Sequence, residues 1–506
     1  MKKPFKIYSF ILIALVCLIG VVLLLNFFLK KELEESLGQQ LSEASVEYGE
    51  ISVNIINSTV KLARPKWKIG KYFFQTDEIF IKELSYYDYF FNKKIVIGEI
   101  EISNPEVTFN KTDLVEETSN KNDNLHFEKE IAVKKFNITD GFFKLIENDS
   151  VPNKFYFSIK ELIFQDILVN SKTLKATLPF ESNRGMIESD SIFYQVNAEH
   201  TAILKNFVLK DGDLKVKDIR IIPEYSKTEF DRRITVEKDR FELKLNSVEI
   251  NDLEWEFKND SLQLTSPVSV IHGADLKVYR NKLLPDDTSI KPLYSQMIRE
   301  LGVKIKFDSI FIDSSQVEYE EKVIDAGPPG KLGFYDLRAK VANITNIGMG
   351  LKDFPQTKIH AETRFMNEAK LSLNLELDAR NLEDDFMVSG NLGTISAESM
   401  NSFLKPTINV EVEGEIESLF FNFQGNQHVA KGDMRLKYNN FKVEVLKKDG
   451  TGKNKLLSGL ANLLIKKEAN SKNLEKEGVE AERDRTKSFW NYLWLFIKNG
   501  ALKSFL

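Results

Sequence analysis

The sequence predicts a mostly β protein. It reads as a long antiparallel sheet of one-sided strands with few short helices, behind a single N-terminal transmembrane helix. Three observations predict it. Residues 7–29, IYSFILIALVCLIGVVLLLNFFL, carry no charge. From residue 50 to about 450, apolar and polar residues alternate with period two. Only two short stretches in that span have helical spacing.

The uncharged run accounts for the anchor. At about 1.5 Å per residue it reaches roughly 35 Å, enough to cross a hydrocarbon core of roughly 30 Å. A cleaved signal has a shorter apolar region ending in small residues. Here Lys30-Lys31 follows directly, and the first small cluster, Ser42-Glu43-Ala44, is too distant. Lipoprotein processing at Cys17 is disfavoured by the bulky Val16 before it. Lys2, Lys3 and Lys6 make residues 1–6 the cytoplasmic head under the positive-inside rule. The body is then expected outside the cytoplasm, in the periplasm of a two-membrane cell.

With 70 basic and 75 acidic residues well mixed and a net charge of −5, nothing favours nucleic acid. Cys17 is the only cysteine, so the body has no disulfide and depends on a large core. The 37 phenylalanines, with abundant Ile, Val and Leu, favour strands. Residues 30–49 read as a helical stalk, with Leu33, Leu37 and Leu41 at i+4 and Gly49 closing it.

The body, 50–450, is read strand by strand. Ile51-Val53-Ile55, Leu371-Leu373-Leu375-Leu377, Ile408-Val410-Val412, Met434-Leu436-Tyr438 and Phe441-Val443-Val445 alternate with polar neighbours. Such alternation gives each strand one apolar and one wet face. Asn104-Pro105, Asp140-Gly141, Asp211-Gly212 and Asp449-Gly450 read as turns. Segments 97–111, 133–149, 245–260 and 307–322 share a plan: an alternating strand, a polar pair, then a second strand ending in charge. Their spacing is irregular, which predicts hairpins stacked side by side and no strict solenoid.

The two helical stretches are 291–301, with Leu293, Met297 and Leu301 at i+4, and 396–404, capped by Ser396 and stopping before Pro406. Neither can cover a large sheet. The apolar face must therefore fold into a sandwich, close into a barrel, or curl into a groove lined for a nonpolar ligand. The tail has three parts: a short apolar helix at 451–465, a charged linker at 466–487, and an aromatic amphipathic helix at 488–506. In that last helix Trp490, Trp494 and Phe496, flanked by Lys498 and Lys503, fit either a membrane-interface helix or a plug at the end of the β body.

A longer pattern lies in 386–446. It comprises Gly390-Asn391-Leu392, Phe403-Leu404-Lys405-Pro406, Val412-Glu413-Gly414, Phe423-Gln424-Gly425-Asn426, and then Gly432, Met434, Leu436, Tyr438 and Leu446. It resembles the C-terminal region of the AsmA-like envelope proteins, the group that includes TamB and YhdP. The stretches PLYSQMIRELGVKIKFDSIFIDSSQVEYEE and IEISNPEVTFNK, and the N-terminal anchor, resemble that group too. The resemblance implies an inner-membrane protein whose periplasmic sheet curls into a taco-like groove. It further implies binding or transfer of membrane phospholipid, a role in outer-membrane biogenesis or homeostasis, and an outer-membrane or periplasmic protein at the far end. Leu371, Leu373, Leu375, Leu377, Ile408, Val410 and Val412 are then candidate groove lining, and Trp490, Trp494 and Phe496 candidate membrane-interface residues. About 25 strands at roughly 4.8 Å would extend on the order of 120 Å, short for a bridge across a periplasm. The alternative is an anchored structural or assembly factor that carries no lipid.

Catalytic chemistry is not readable. His126, His200, His272, His360 and His428 are scattered without ligand spacing. Gly327-Pro328-Pro329-Gly330-Lys331 lacks phosphate-loop spacing, and Asp384-Asp385 reads as a solvated turn. No enzyme, cofactor or metal is expected.

Overall fold

The computed structural model describes residues 44–505 except 55–56, 70–71, 93, 111–129, 147–153, 174–175, 177–179, 259–260, 326 and 448–474. The cytoplasmic head, the transmembrane helix, most of the stalk, the helix at 451–465 and the first part of the charged linker lie outside the described residues. Among the described residues no helix is long and apolar enough to cross a membrane. The chain is mostly β, dominated by antiparallel pairing, with few short helices. It divides into two compact units. One comprises the described residues of Met1–Asn197 with Thr201–Asp218 and Asp252–Gln263. The other comprises Ala198–His200, Ile219–Asn251 and the described residues of Leu264–Leu506.

The first unit begins as a series of collinear strand pairs. They are β1 (Ala44–Glu47) and β2 (Glu50–Asn54), β3 (Thr59–Ala63) and β4 (Lys66–Ile69), β5 (Tyr72–Gln75) and β6 (Glu78–Lys82). After the short helix α1 (Tyr86–Phe91), capped by Ser85, come β7 (Lys94–Ser103) and β8 (Glu106–Asn110). β1 pairs with β4, β4 with β5 and β5 with β8, while β2 pairs with β3, β3 with β6 and β6 with β7. The long β9 (Glu130–Ile146) takes β7 and β8 end to end along one edge and β10 (Phe155–Val169) along the other, and β11 (Arg184–Asn197) follows β10. Two expectations change here. Residues 44–47 form a strand and not the end of a stalk helix, because the ladder with β4 satisfies their backbone. The β7–β9 and β8–β9 pairs are parallel, because the chain re-enters β9 beside the start of β7.

Of the polar pairs read as turns, Asn104-Pro105 and Asp140-Gly141 are in-line kinks, Asp211-Gly212 is the two-residue turn between the strands His200–Lys210 and Asp213–Pro223, and Asp449-Gly450 lies outside the described residues. In unit one, Gly49 N–H donates to Ala63 O, Arg64 to Asp77 O, Thr76 to Pro65 O, Asn104 to Thr139 O and Phe142 to Pro105 O. These bonds align the kinks across neighbouring strands into one crease. The local unit recurs along the chain, with Arg64, Asn104, Asp140, Asp166, Asp218, Asp252, Ser314, Asp336 and Asn440 all left-handed at φ 47–54°. Each has apolar residues four and two positions before it and three positions after it, as in Ile100, Ile102, Asn104 and Val107. The left-handed residue shifts the pleat by one, so the apolar row stays on one face while the strand bends. A β-branched side chain would clash there, so Ser314→Val is expected to cost about 1–2 kcal/mol and Ser314→Gly nothing. Hydrogen exchange of the strand Lys304–Lys322 checks this.

The apolar face of unit one is packed. Leu62, Phe74, Ile79, Ile81, Ile97, Ile100, Ile102, Val107, Ile138, Phe143, Phe157 and Val169 belong to one buried cluster. Its other face carries cross-strand charge ladders. Lys82 binds Glu99 (3.1 Å) and Glu101 (2.6 Å), and Lys135 binds Glu99 (2.7 Å). Each such pair contributes little by itself.

After β12 (His200–Lys210) and β13 (Asp213–Pro223), the short helix α2 (Lys227–Arg233) carries a capping box at Ser226 and Glu229. β14 (Asp239–Asn251), β15 (Glu254–Lys258), β16 (Ser261–Asn281), α3 (Tyr294–Arg299), β17 (Lys304–Lys322), β18 (Gly330–Thr345), β19 (Thr357–Phe365), β20 (Ala369–Leu377), β21 (Phe386–Leu392) and β22 (Ile395–Ser396) follow. A 3-10 turn leads into α4 (Asn401–Ile408), and the chain ends with β23 (Val410–Gly425), β24 (Val429–Val445), β25 (Glu475–Glu482) and α5 (Phe489–Phe505). In unit two, β17-β18-β19-β20-β21-β23-β24-β25 pair in that order, all antiparallel.

Three local expectations are corrected. α3 covers only part of 291–301, with Leu293 buried and Met297 and Leu301 exposed, so the side chains packed on the core are the partly buried Tyr294 and Ile298. α4 runs through Pro406 and ends where Asn409 turns left-handed, which makes Ile408 an exposed helix residue and starts the strand at Val410. Residues 475–482 of the charged linker form β25, because Val479 and Ala481 supply one buried row.

Buried His200 accepts a hydrogen bond at Nε2 from the Phe241 N–H (2.9 Å), so the folded state needs it neutral. Burial lowers its pKa from the usual 6.5. A depressed histidine pKa means stability is complete above pH 6.5 and is lost as pH falls toward the folded-state value. Loss of β14 exchange protection below pH 6.5 is therefore expected in the native protein and should be absent in His200→Gln.

Candidate functional site

One row of side chains crosses the sheet of unit two and defines the site. Paired in register it reads Ile310, Val341, Ile359, Leu375, Val388, Phe423, Gly432, Val479. Directly opposed residues share a face, so this is one continuous apolar row. Its burial changes along the way. Ile310 and Val341 are half-buried, Ile359 is half-buried and packs against the cluster that holds Leu375, and Leu375, Val388, Phe423 and Val479 are buried. Neighbouring positions follow suit: Ile312, Val317, Leu337 and Ala339 are half-exposed, as are Phe334 and Ala361. The result is an apolar strip about 15 Å wide over β17–β19 that water reaches.

The covered part is closed by α5. Phe496 is fully buried and stacks on Phe423 at 4.0 Å, and Phe489 and Tyr492 meet Phe386 at 5.2 and 6.0 Å. Burial pushes the Tyr492 phenol well above its usual range. Of the residues read as membrane-interface, Phe496 is therefore a core wedge. Trp490 and Trp494 are 57 % and 42 % exposed. The segment leading into α5 is tied down by Lys487, whose ammonium lies 2.7 Å from the buried Glu237 carboxylate and 2.8 Å from Asp286. Burial lowers the Lys487 pKa and the two carboxylates raise it, with a net increase. Arg483 Nη2 donates to Lys291 O at 2.5 Å, and Lys291 N–H to Arg485 O at 2.8 Å.

The ends of the strip are also defined. Beyond the last residue of β18, Asn346 Nδ2 donates to Ile298 O (3.2 Å) and Val303 O (2.9 Å), which seats α3 there. At the first residue of β18, a Cβ on Gly330 would lie 2.5 Å from Thr407 Cγ2, so glycine lets α4 approach. Ser402 Oγ donates to Lys331 O at 3.2 Å.

The sequence-based lining residues of β20 lie with the covered part. Leu371 and Leu373 are half-buried and pack against the cluster, Leu375 and Leu377 are buried within it, and Asn374 on the opposite face is exposed. Val412 is buried, Val410 is partly buried, and Ile408 lies off the strand on α4. Sequence reasoning missed Ile310, Val341 and Ile359. The kink pattern around Ser314 puts Ile310, four positions before it, on the apolar face but does not tell whether that face is covered.

Titratable clusters offer little chemistry. Among the described residues no group of three or more His, Cys, Asp and Glu could hold a metal ion. His272 bonds Asp313, and His360 bonds Asn374 (2.8 Å), each alone on its strand. Asp385 is exposed, but Asp384 is fully buried against Arg299, which corrects the solvated-turn expectation. No family model matches the chain, and no curated protein matches it.

Proposed function

We propose that the protein binds phospholipid by laying its acyl chains on the open strip over β17–β19. The observation that carries this reading is the change from half-exposed to buried along one apolar row, from Ile310 and Val341 to Val388 and Phe423. An exposed contiguous apolar strip costs hydration free energy unless something nonpolar covers it. β18 and β19 each pair along both edges, so an added strand has no backbone groups to join on them. Side-chain contact with a flexible chain remains. With the AsmA-like resemblance, this supports an inner-membrane-anchored periplasmic protein that binds or transfers phospholipid and serves outer-membrane biogenesis or homeostasis. The alternative, a structural or assembly factor for outer-membrane proteins, draws on unit one, whose apolar face is packed by its own side chains.

A photo-crosslinking residue at Val341 or Ile359 is expected to capture phospholipid in cells. One at Lys340 or His360, exposed on the other face of the same strands, is expected to capture none. Leu375, already packed, should also stay silent. Capture at neither Val341 nor Ile359 in a folded protein would favour the structural reading.

A further inference from the structure

We infer that Trp490 and Trp494 form the side wall of the acyl-chain site, with β17–β19 as its floor. The inference rests on the lipid-binding reading above and adds residues that the strand pattern does not contain. Its starting point is how α5 is oriented. Asn499 Nδ2 donates to Glu480 O and Lys503 Nζ to Gly478 O, both at 2.9 Å, so that flank of α5 faces the β25 edge. Trp490 and Trp494 each stand nine residues before one of these. At 3.6 residues per turn, nine residues is two and a half turns, so both tryptophans point the opposite way. That direction leads back across the sheet from β25 toward β19 and β18.

Ring contacts relate this flank to both neighbouring helices. Trp490 packs edge-on against Phe489 at 5.5 Å between centroids, and Phe489 meets Tyr294 of α3 at 5.3 Å. Trp494 packs edge-on against Phe403 of α4, ring centroids 6.3 Å apart. α3 stands at one end of β18 and α4 at the other. The exposed tryptophan flank therefore lies between the two helices that close the ends of the strip. Floor, two ends and one wall are then accounted for, and the wall is aromatic, rigid and half-exposed. Trp carries a large apolar surface at little conformational cost and suits a chain that must slide or leave.

The test uses the full chain reconstituted in vesicles of phosphatidylethanolamine and phosphatidylglycerol. A photo-crosslinking residue is placed in turn at Val341, Trp494 and Asn491, the last on the outward side of α5. Phospholipid capture at Val341 and Trp494 but not Asn491 is the expected result. Capture at Val341 alone overturns the wall and leaves the lipid-binding reading standing. Equal capture at Trp494 and Asn491 means that α5 lies against a bilayer, and also overturns it. Capture at none removes both. In a second arm, Trp490→Ala with Trp494→Ala is expected to lower capture at Val341 several-fold, and Trp490→Phe with Trp494→Phe to restore it. Exchange protection of β25 should be the same in both variants, since neither side chain is part of the packed core. Loss of β25 protection in the alanine variant alone would overturn the assignment by making the tryptophans structural.

Discussion

Asp384→Ala is expected to destabilise the second unit by about 3–5 kcal/mol, the usual cost of stranding one partner of a buried ion pair. Asp384 is 0 % exposed. Its Oδ1 accepts from Ser295 Oγ (2.7 Å) and Arg299 Nη2 (3.0 Å), and its Oδ2 from Gln427 Nε2 (2.6 Å). The same guanidinium donates through Nη1 to Ala379 O (2.8 Å) and Asn381 O (3.0 Å). One carboxylate thus ties α3, the turn after β20 and the turn before β24. Removing it leaves Arg299 with no counter-charge and two more donors unsatisfied. Asp384→Asn keeps oxygen and geometry and tolerates the left-handed φ of 56°, so its cost should be nearer 1–2 kcal/mol. Hydrogen exchange read at α3 and β21 separates the two. Because the pair is buried, added salt should change the difference little. Equal losses for Ala and Asn would show that the charge is immaterial there.

The alternating strands were legible because period two is a direct consequence of strand geometry. Leu371 to Leu377 fall where the pattern puts them, with Leu375 and Leu377 inside and Asn374 outside. The kinks were visible but misassigned. Asn104 and Asp140 mark left-handed backbone, and a hairpin turn uses the same residues for the same reason. What tells the two apart is phase: Ile102 and Val107, either side of Asn104, are both buried on one face. A hairpin would have reversed the chain and paired the halves with each other, whereas β7 and β8 both pair with β9.

The open strip was not legible at all. Val341 and Leu375 are equivalent in local pattern, and nothing near either residue says which is covered. The cover is α5, more than a hundred residues later in the chain, reached through Phe386 and Phe423. A long-range partner of that kind leaves no mark on local periodicity. β25 was hidden for a related reason. EKEGVEAE has the charge of a linker, and among its described side chains Val479 and Ala481 meet the core. Two small apolar residues suffice once a neighbouring ladder and a covering helix are supplied.

Phe496→Ala should be the more damaging change at the C-terminus, costing about 3–5 kcal/mol as a large aromatic lost from a packed core. The ring is 0 % exposed and lies flat on Phe423, 4.0 Å between centroids and 22° between planes. Phe423 in turn meets Phe386 edge-on at 6.1 Å, and Phe386 meets Phe489 and Tyr492. The wedge therefore holds a chain of aromatic contacts and not a single pair. Its loss should act on the edge as well as on the core. α5 supplies the Asn499 and Lys503 donors that cover the Glu480 and Gly478 carbonyls of β25. If the helix loosens, those carbonyls become available to another chain's strand, the usual route to edge-to-edge association. The variant is thus expected to lose exchange protection first at β25 and α5 and to associate with increasing concentration in light scattering. Trp494→Ala, half-exposed on the same helix, should change stability by no more than about 0.5 kcal/mol and leave scattering unchanged. Matching losses for Phe496→Ala and Trp494→Ala would mean that α5 is held by its whole surface and not by the buried ring.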